Sequence, residues 1–182
     1  MLGQSKPLVS IIIPVYNGSD YIAEAIDSAL NQTYENCEVI VVNDGSTDVE
    51  TEKIALAYGD KIRYFYKSNG GVASALNYGI RQMRGEYFSW LSHDDWYYPY
   101  KIQCQIQALK EEKDMTLIVQ GEYEFLHMNS GTITPTDFLK SYSKEQITNS
   151  FFSVMQLQMH ACASLIHKSH FQRVGLFDEK LR

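Results

Sequence analysis

Cysteine is scarce in this 182-residue chain, and cysteine in pairs is missing altogether. Cys37, Cys104 and Cys162 are odd in number, far apart and in no Cys-x-x-Cys pattern. That excludes a disulfide-stapled secreted scaffold and the zinc sites recognised by local spacing. The three read as buried or half-buried free thiols in a reducing cytoplasm. Basic residues are also short, 16 against 22 acidic ones, for a formal net charge of -6 without any Lys/Arg run. No nucleic-acid partner is expected. Long apolar runs are lacking too. Val9 to Val15 falls far below the roughly 20 residues of a membrane span, and the polar Met1 to Pro7 does not read as a signal peptide. No membrane span is expected, and docking at the inner face of a membrane stays open. No Gly-x-Ser-x-Gly elbow, no Lys-Ser/Thr after Gly70-Gly71, no repeat and no low-complexity linker is found.

What is present fits one α/β domain with a sizeable core, since 45% of residues are hydrophobic and 21% charged. Val9 to Pro14 is β-branched and nearly all apolar, as suits a strand buried on both faces of a parallel sheet. Gly18, Ser19 and Asp20 predict a turn and a helix cap. Tyr21, Ile22, Ala25, Ile26, Ala29 and Leu30 then share one helical face. Glu38 to Val42 predicts a second strand, Val49 to Tyr58 a helix, Lys61 to Tyr66 a third strand, Val72 to Arg84 a helix and Glu86 to Leu91 a fourth strand. Pro99 opens a further helix. Thr116 to Gln120 and Tyr123 to Met128 read as strands, the latter turning at Asn129-Ser-Gly131. Strand and helix alternate over the first ~120 residues, which predicts right-handed βαβ units. After Thr132 the pattern loosens.

Polar clusters close three successive strands: Tyr16-Asn17, Asn43-Asp44 and Asp94-Asp95. In open parallel sheets, ligands bind at that edge, near a reversal of strand order. Asp94 and Asp95 repel each other unless a cation or solvent separates their charge. Such oxygen ligands suit Mg2+ or Mn2+, which accept phosphate oxygens as further ligands. The plainer reading is that one of them caps the next segment. Asp44 could accept from a base N–H or a ribose hydroxyl, or serve only a turn with Asx hydrogen bonds and an N-cap; the turn is expected to be exposed, so that losing the carboxylate leaves the fold intact. Pro14, Tyr16 and Asn17 could line a base pocket, with Tyr16 as stacking face, or pack on the core. Gly70-Gly71 permits close backbone approach to a ligand, or simply breaks the chain. Asp48 reads as a helix cap, His93 as pointing away from ligand, and His160 as a core histidine in a late strand.

Taken together, Ser10-Ile-Ile-Ile-Pro-Val-Tyr-Asn-Gly18, Val41-Val-Asn-Asp-Gly-Ser-Thr-Asp48, Asn69-Gly-Gly-Val72, Gly85-Glu-Tyr87, Leu91-Ser-His-Asp-Asp95 and Val174-Gly-Leu-Phe-Asp-Glu179 resemble family-2 glycosyltransferases of the GT-A fold. The motifs keep the family's order and spacing from about Val9 to Arg182. The resemblance implies a Rossmann-like α/β/α sandwich with a mostly parallel central sheet. It implies one domain over residues 1–182, with a nucleotide-binding half at about 8–120 and the start of an acceptor half at about 121–182. It places Pro14, Tyr16, Asn17, Asp44 and Asp94 on the nucleotide side, and Asp95 with Asp94 at the metal, Mn2+ or Mg2+. The implied reaction transfers a sugar, with inversion, from a nucleoside-diphosphate donor to a hydroxyl of a glycan or lipid-linked acceptor. The donor is expected to be a UDP-sugar, and the setting cytoplasmic or at the inner face of a membrane.

Three departures qualify the resemblance. Ser92 stands where the family's Asp-x-Asp motif has its first Asp. Leu76 stands where many members carry an arginine. The acidic motif that supplies the family's catalytic base is expected after Arg182, so a chain ending there is expected not to transfer sugar. Two rival functions are a non-catalytic sugar-nucleotide-binding module and a nucleotidyltransferase. The second wants a basic, Gly-rich loop after the first strand, and Pro14-Val-Tyr-Asn-Gly18 has no basic residue.

Overall fold

A computed structural model describes residues 6–136 and 160–180. Its core is a six-stranded sheet built outward from the most apolar segment of the chain. Strand β1, Val9–Val15, is buried along its whole length. β2 (Cys37–Asn43) and β4 (Tyr87–Trp90) pair in parallel on either side of it, and β3 (Arg63–Tyr66) extends the β2 side. β8 (Ser164–His167) and β5 (Val119–Gln120) complete the order β3-β2-β1-β4-β8-β5, with β8 antiparallel to both neighbours. The mostly parallel α/β sheet expected from the sequence is therefore present.

Alternation along β1 explains why both faces carry helices. Ile11, Ile13 and Val15 enter one apolar cluster, with Ile22, Ala25 and Ile26 of α1 (Ile22–Leu30) and Ile102, Ile106 and Leu109 of α4 (Lys101–Glu112). Ile12, Ile40, Val42 and Phe88 enter a second cluster, beneath Ala75 and Leu76 of α3 (Val72–Gln82). A strand with apolar side chains on both faces can satisfy neither from water, so it must be sandwiched. Helix α2, Val49–Leu56, begins at Asp48, whose carboxylate accepts from Thr51 N–H at 2.6 Å, as the sequence predicts.

Some local expectations are corrected. Helix α1 has no side-chain cap from Gly18, Ser19 or Asp20; the Gly18 carbonyl accepts from the Tyr21 and Ile22 N–H groups instead. Residues 161–163 form a 3-10 turn and the late strand begins only at Ser164, so His160 precedes it. Cys104 is exposed on α4, outside the expectation of buried or half-buried thiols. The hairpin around Asn129 to Gly131 forms as expected, with β6 (Glu124–His127) and β7 (Thr132–Pro135), and makes a separate two-stranded sheet. The short helix α5 (Ser169–Val174) follows β8.

Candidate functional site

The chain runs β1, β2, β3 in one direction across the sheet, and α3 then carries it back over to β4 on the other side of β1. The C-terminal ends of β1 and β4 thus flank the reversal point, where crevices open in such sheets. All three polar clusters lie at that edge.

On the β1–β2 side the loops are tied to each other. Asn17 takes a left-handed conformation (φ 50°), and its Oδ1 accepts from Thr47 N–H at 2.8 Å and Asp48 N–H at 3.2 Å. Its own N–H donates to Ser46 Oγ. Asp44 is only 3% exposed. Its carboxylate accepts from Lys67 Nζ at 2.5 Å, from Gly71 N–H at 2.7 Å and from Gly70 N–H at 3.1 Å. The expectation of an exposed, dispensable turn is therefore corrected: Asp44 anchors the loop that follows β3. Gly70 and Gly71 serve that anchor with their backbone N–H groups, and Gly71 needs glycine's freedom at φ 86°. Pro14 is buried in β1 opposite Val42, while Tyr16 stands 45% exposed at the edge.

On the β4 side, His93 turns its ring onto Gly18, where an added Cβ would lie 2.3 Å from His93 Cδ2. It points away from the cavity, as read from the sequence. Asp94 is exposed and Asp95 half-buried. Both line a cavity of about 410 Å³ with Tyr21, Trp96, Tyr98, Tyr123, Phe125, Lys101, His160 and Cys162. Aromatic faces are abundant there, as in sites that hold flat or ring-shaped ligands. The floor is a polar network. Lys101 Nζ donates to Ser89 Oγ at 2.8 Å and lies 3.9 Å from the Tyr97 ring centroid. Burial pushes the Lys101 ammonium down to about 7.

Carboxylate oxygen of Asp95, imidazole nitrogen of His160 and Sγ of Cys162 all lie within 4.8 Å of one another. The reading of His160 as a plain core histidine is corrected: it is half-buried and turned to the site. Its ring rests against Tyr123, with centroids 5.0 Å apart, and among the described residues its nitrogens meet no hydrogen-bond partner. Burial first, and the nearby Asp95 carboxylate as well, push the Cys162 thiol up to about 12. This donor set suits a divalent cation. Spacing along the chain could not reveal it, because 65 residues separate Asp95 from His160.

Leu76 is 1% exposed and sits in the apolar cluster under α3, so no site contact comes from that position. Its neighbour Asn77 does what the sequence did not announce. Its side chain accepts from Phe177 N–H at 2.9 Å and donates to Phe177 O and to Glu179 Oε1, pinning the segment after α5 onto α3.

The sequence profile of glycosyl transferase family 2 matches residues 10–174. A glycosyltransferase of Rickettsia typhi is 56% identical over 177 residues, covering 97% of this chain and 55% of its own length. The chain thus spans about half the length of that relative. Hyaluronan synthase of Pasteurella multocida is 40% identical over 62% of this chain and 12% of its own. Among solved structures, S. aureus TarS 1-349 superposes with a TM-score of 0.72 at 20% identity, over 96% of this chain and 51% of that one. The mannosyltransferase PcManGT from Pyrobaculum calidifontis, in complex with GDP-Man and Mn2+, gives 0.64 at 20% identity, over 95% and 48%. At such identities these structures share the fold.

Proposed function

Because this chain belongs to glycosyl transferase family 2, we propose that it binds a nucleoside-diphosphate sugar, with UDP as the nucleotide, as the donor side of an enzyme that passes the sugar with inversion to a hydroxyl of a glycan or lipid-linked acceptor. The observation that carries the reading is the position of half-buried Asp95 at the sheet's reversal point, in an aromatic-lined cavity. TarS 1-349 has been solved with UDP and with UDP-GlcNAc and PcManGT with GDP-Man, so the neighbours support a nucleoside diphosphate, and the choice of UDP rests on the family resemblance.

In this reading Tyr16 offers its exposed face to the base, above the rigid end of β1 at Pro14. Asn17 and Asp44 hold the loops on either side in place, so that their backbone groups stand ready without reorganisation. Asp94 lies toward the ribose and sugar. Asp95, with Asp94, would hold Mn2+ or Mg2+, which when bound offsets the charge of the departing diphosphate. A net-acidic chain needs such an offset to keep a diphosphate beside two carboxylates. The aromatic walls exclude water from the donor sugar and strengthen the electrostatics inside.

The test is calorimetry of UDP with Mn2+, with Mg2+ and with a chelator. UDP should bind at least about tenfold more tightly with the ion, a difference of about 1.4 kcal/mol. Asp95→Asn should remove most of that dependence, because the amide keeps the shape and loses the charge a hard cation needs. Ser92→Ala should remove less. Equal UDP affinity with ion and with chelator sinks the proposal.

A further inference from the structure

We propose that the cation site has mixed donors, an Asp95 oxygen, a His160 nitrogen and the Cys162 sulfur, and so holds Mn2+, Co2+ or Zn2+ in preference to Mg2+. This deepens the reading of Asp95 as a metal-holding residue and rests on it.

The donors reach the site independently. Asp95 sits in the loop after β4, where its N–H donates to Ser92 O at 3.2 Å. Cys162 sits in the 3-10 turn before β8, and its sulfur accepts from Ser92 N–H at 3.4 Å, with Ser92 Oγ at the same distance. Position 92 therefore supplies no carboxylate but holds the thiol against the acidic loop. An oxygen donor missing from the β4 loop is replaced by donors from a segment some 65 residues later.

His160 is the most telling of the three. Its carbonyl is held from two sides, by Ala163 N–H at 3.0 Å and Gln120 Nε2 at 3.2 Å. Tyr123 supports the ring. A half-buried imidazole that is positioned so closely, and whose nitrogens lack a protein partner among the described residues, is poised for a ligand. Donors sharing one ion at about 2.0–2.3 Å lie at most about 4.6 Å apart. The observed spread, within 4.8 Å, slightly exceeds that limit, so an ion would draw the three donors together by at least about a few tenths of an ångström.

Donor chemistry then sets the preference. Mg2+ demands near-octahedral oxygen ligation and sheds water reluctantly. Imidazole and thiolate favour later transition ions, and affinity of such sites rises from Mn2+ to Co2+. Sulfur binds as thiolate, so the Cys162 proton leaves to solvent as the ion binds.

Co2+ is the probe, because its absorption spectrum reports the ligands directly. All samples carry Cys104→Ser, so that the exposed thiol on α4 contributes nothing. The parent is expected to show a sulfur-to-cobalt charge-transfer band and to keep its ion in the presence of excess Mg2+. Cys162→Ser should lose that band. His160→Ala should bind Co2+ and Mn2+ at least about tenfold more weakly, by calorimetry. The parent spectrum and the half-buried His160 variant decide the matter even if Cys162→Ser fails to fold. Ion binding that Asp95→Asn abolishes, while the parent shows no sulfur band and His160→Ala changes nothing, overturns the mixed site and leaves the Asp95 reading standing. Equal affinity of the parent for Mg2+ and Mn2+ overturns the preference. A parent that binds no divalent ion, with or without UDP, overturns both readings.

Discussion

Asp44 shows how one residue can carry more than its local pattern suggests. Asp-Gly-Ser is a turn former anywhere, and from the sequence the choice lies between a turn and a nucleotide contact. The structure adds a third duty, since the carboxylate gathers Lys67, Gly70 and Gly71 around itself in near-complete burial. Removing it leaves the half-buried Lys67 ammonium with only the Ser68 carbonyl, and two backbone N–H groups without their acceptor. Such losses cost about 3 kcal/mol, because the orphaned groups stay desolvated. Asp44→Ala should lower stability by that amount in urea unfolding, together with any loss of UDP affinity. A variant within about 0.5 kcal/mol of the parent would return Asp44 to the role of a surface turn.

Helix α3 shows the same dependence one level up. Its apolar register, Val72, Leu76, Ile80 and Met83, is visible in the sequence; Leu76, Ile80 and Met83 pack on the sheet, whereas Val72 at the helix start stays exposed. How closely it lies there is decided by Gly79, where an added Cβ would come within 2.5 Å of Ile12 Cγ2 in the central strand. Alanine would suit a free helix better than glycine by about 1 kcal/mol. Here it would force helix and strand apart, and overpacking of this kind costs about 1–3 kcal/mol. Gly79→Ala is therefore expected to be destabilising in thermal or urea melts. A stabilised variant would mean that α3 rides higher on β1 than the contact implies. The closeness matters for the site, because the first turns of α3 follow Gly71 and its helix body holds the Phe177–Glu179 segment through Asn77.

At the scale of the molecule, the chain stores an unfavourable charge beneath its cavity. Lys101 is half-buried as a residue, but its ammonium is enclosed, and burial lowers it from the ordinary 10.5 to about 7. The unfolded chain keeps that proton to about pH 10.4. Between the two values the unfolded state binds more protons, so stability rises with pH across that window, and the penalty is full below about pH 7. Compared with Lys101→Met, the parent should gain about 1–2 kcal/mol between pH 7 and pH 9 in urea melts. A difference independent of pH would show that the ammonium is solvated. Beneath the aromatic walls, such a lysine keeps a titratable cation within the same cavity as Asp95.

Much of this architecture was legible in the sequence. Apolar strands buried on both faces, alternating with helical periodicity, determine a sandwiched parallel sheet, because no other packing removes both faces from water. The same ordering puts Tyr16, Asp44 and Asp94-Asp95 at one edge, since side chains at the ends of parallel strands share that edge whatever their loops do. Asp48 as a cap follows from contacts three residues apart. Tertiary structure alone decided the rest. It inserted β8 between β4 and β5, which turned part of the sheet antiparallel and brought His160 and Cys162 beside Asp95. It also buried Asp44 under a loop more than 20 residues away and made Asn77 a clamp for residues 100 positions later. Local sequence reports a residue's neighbours along the chain, whereas the chemistry of these side chains is set by partners that only the folded sheet brings within hydrogen-bonding reach.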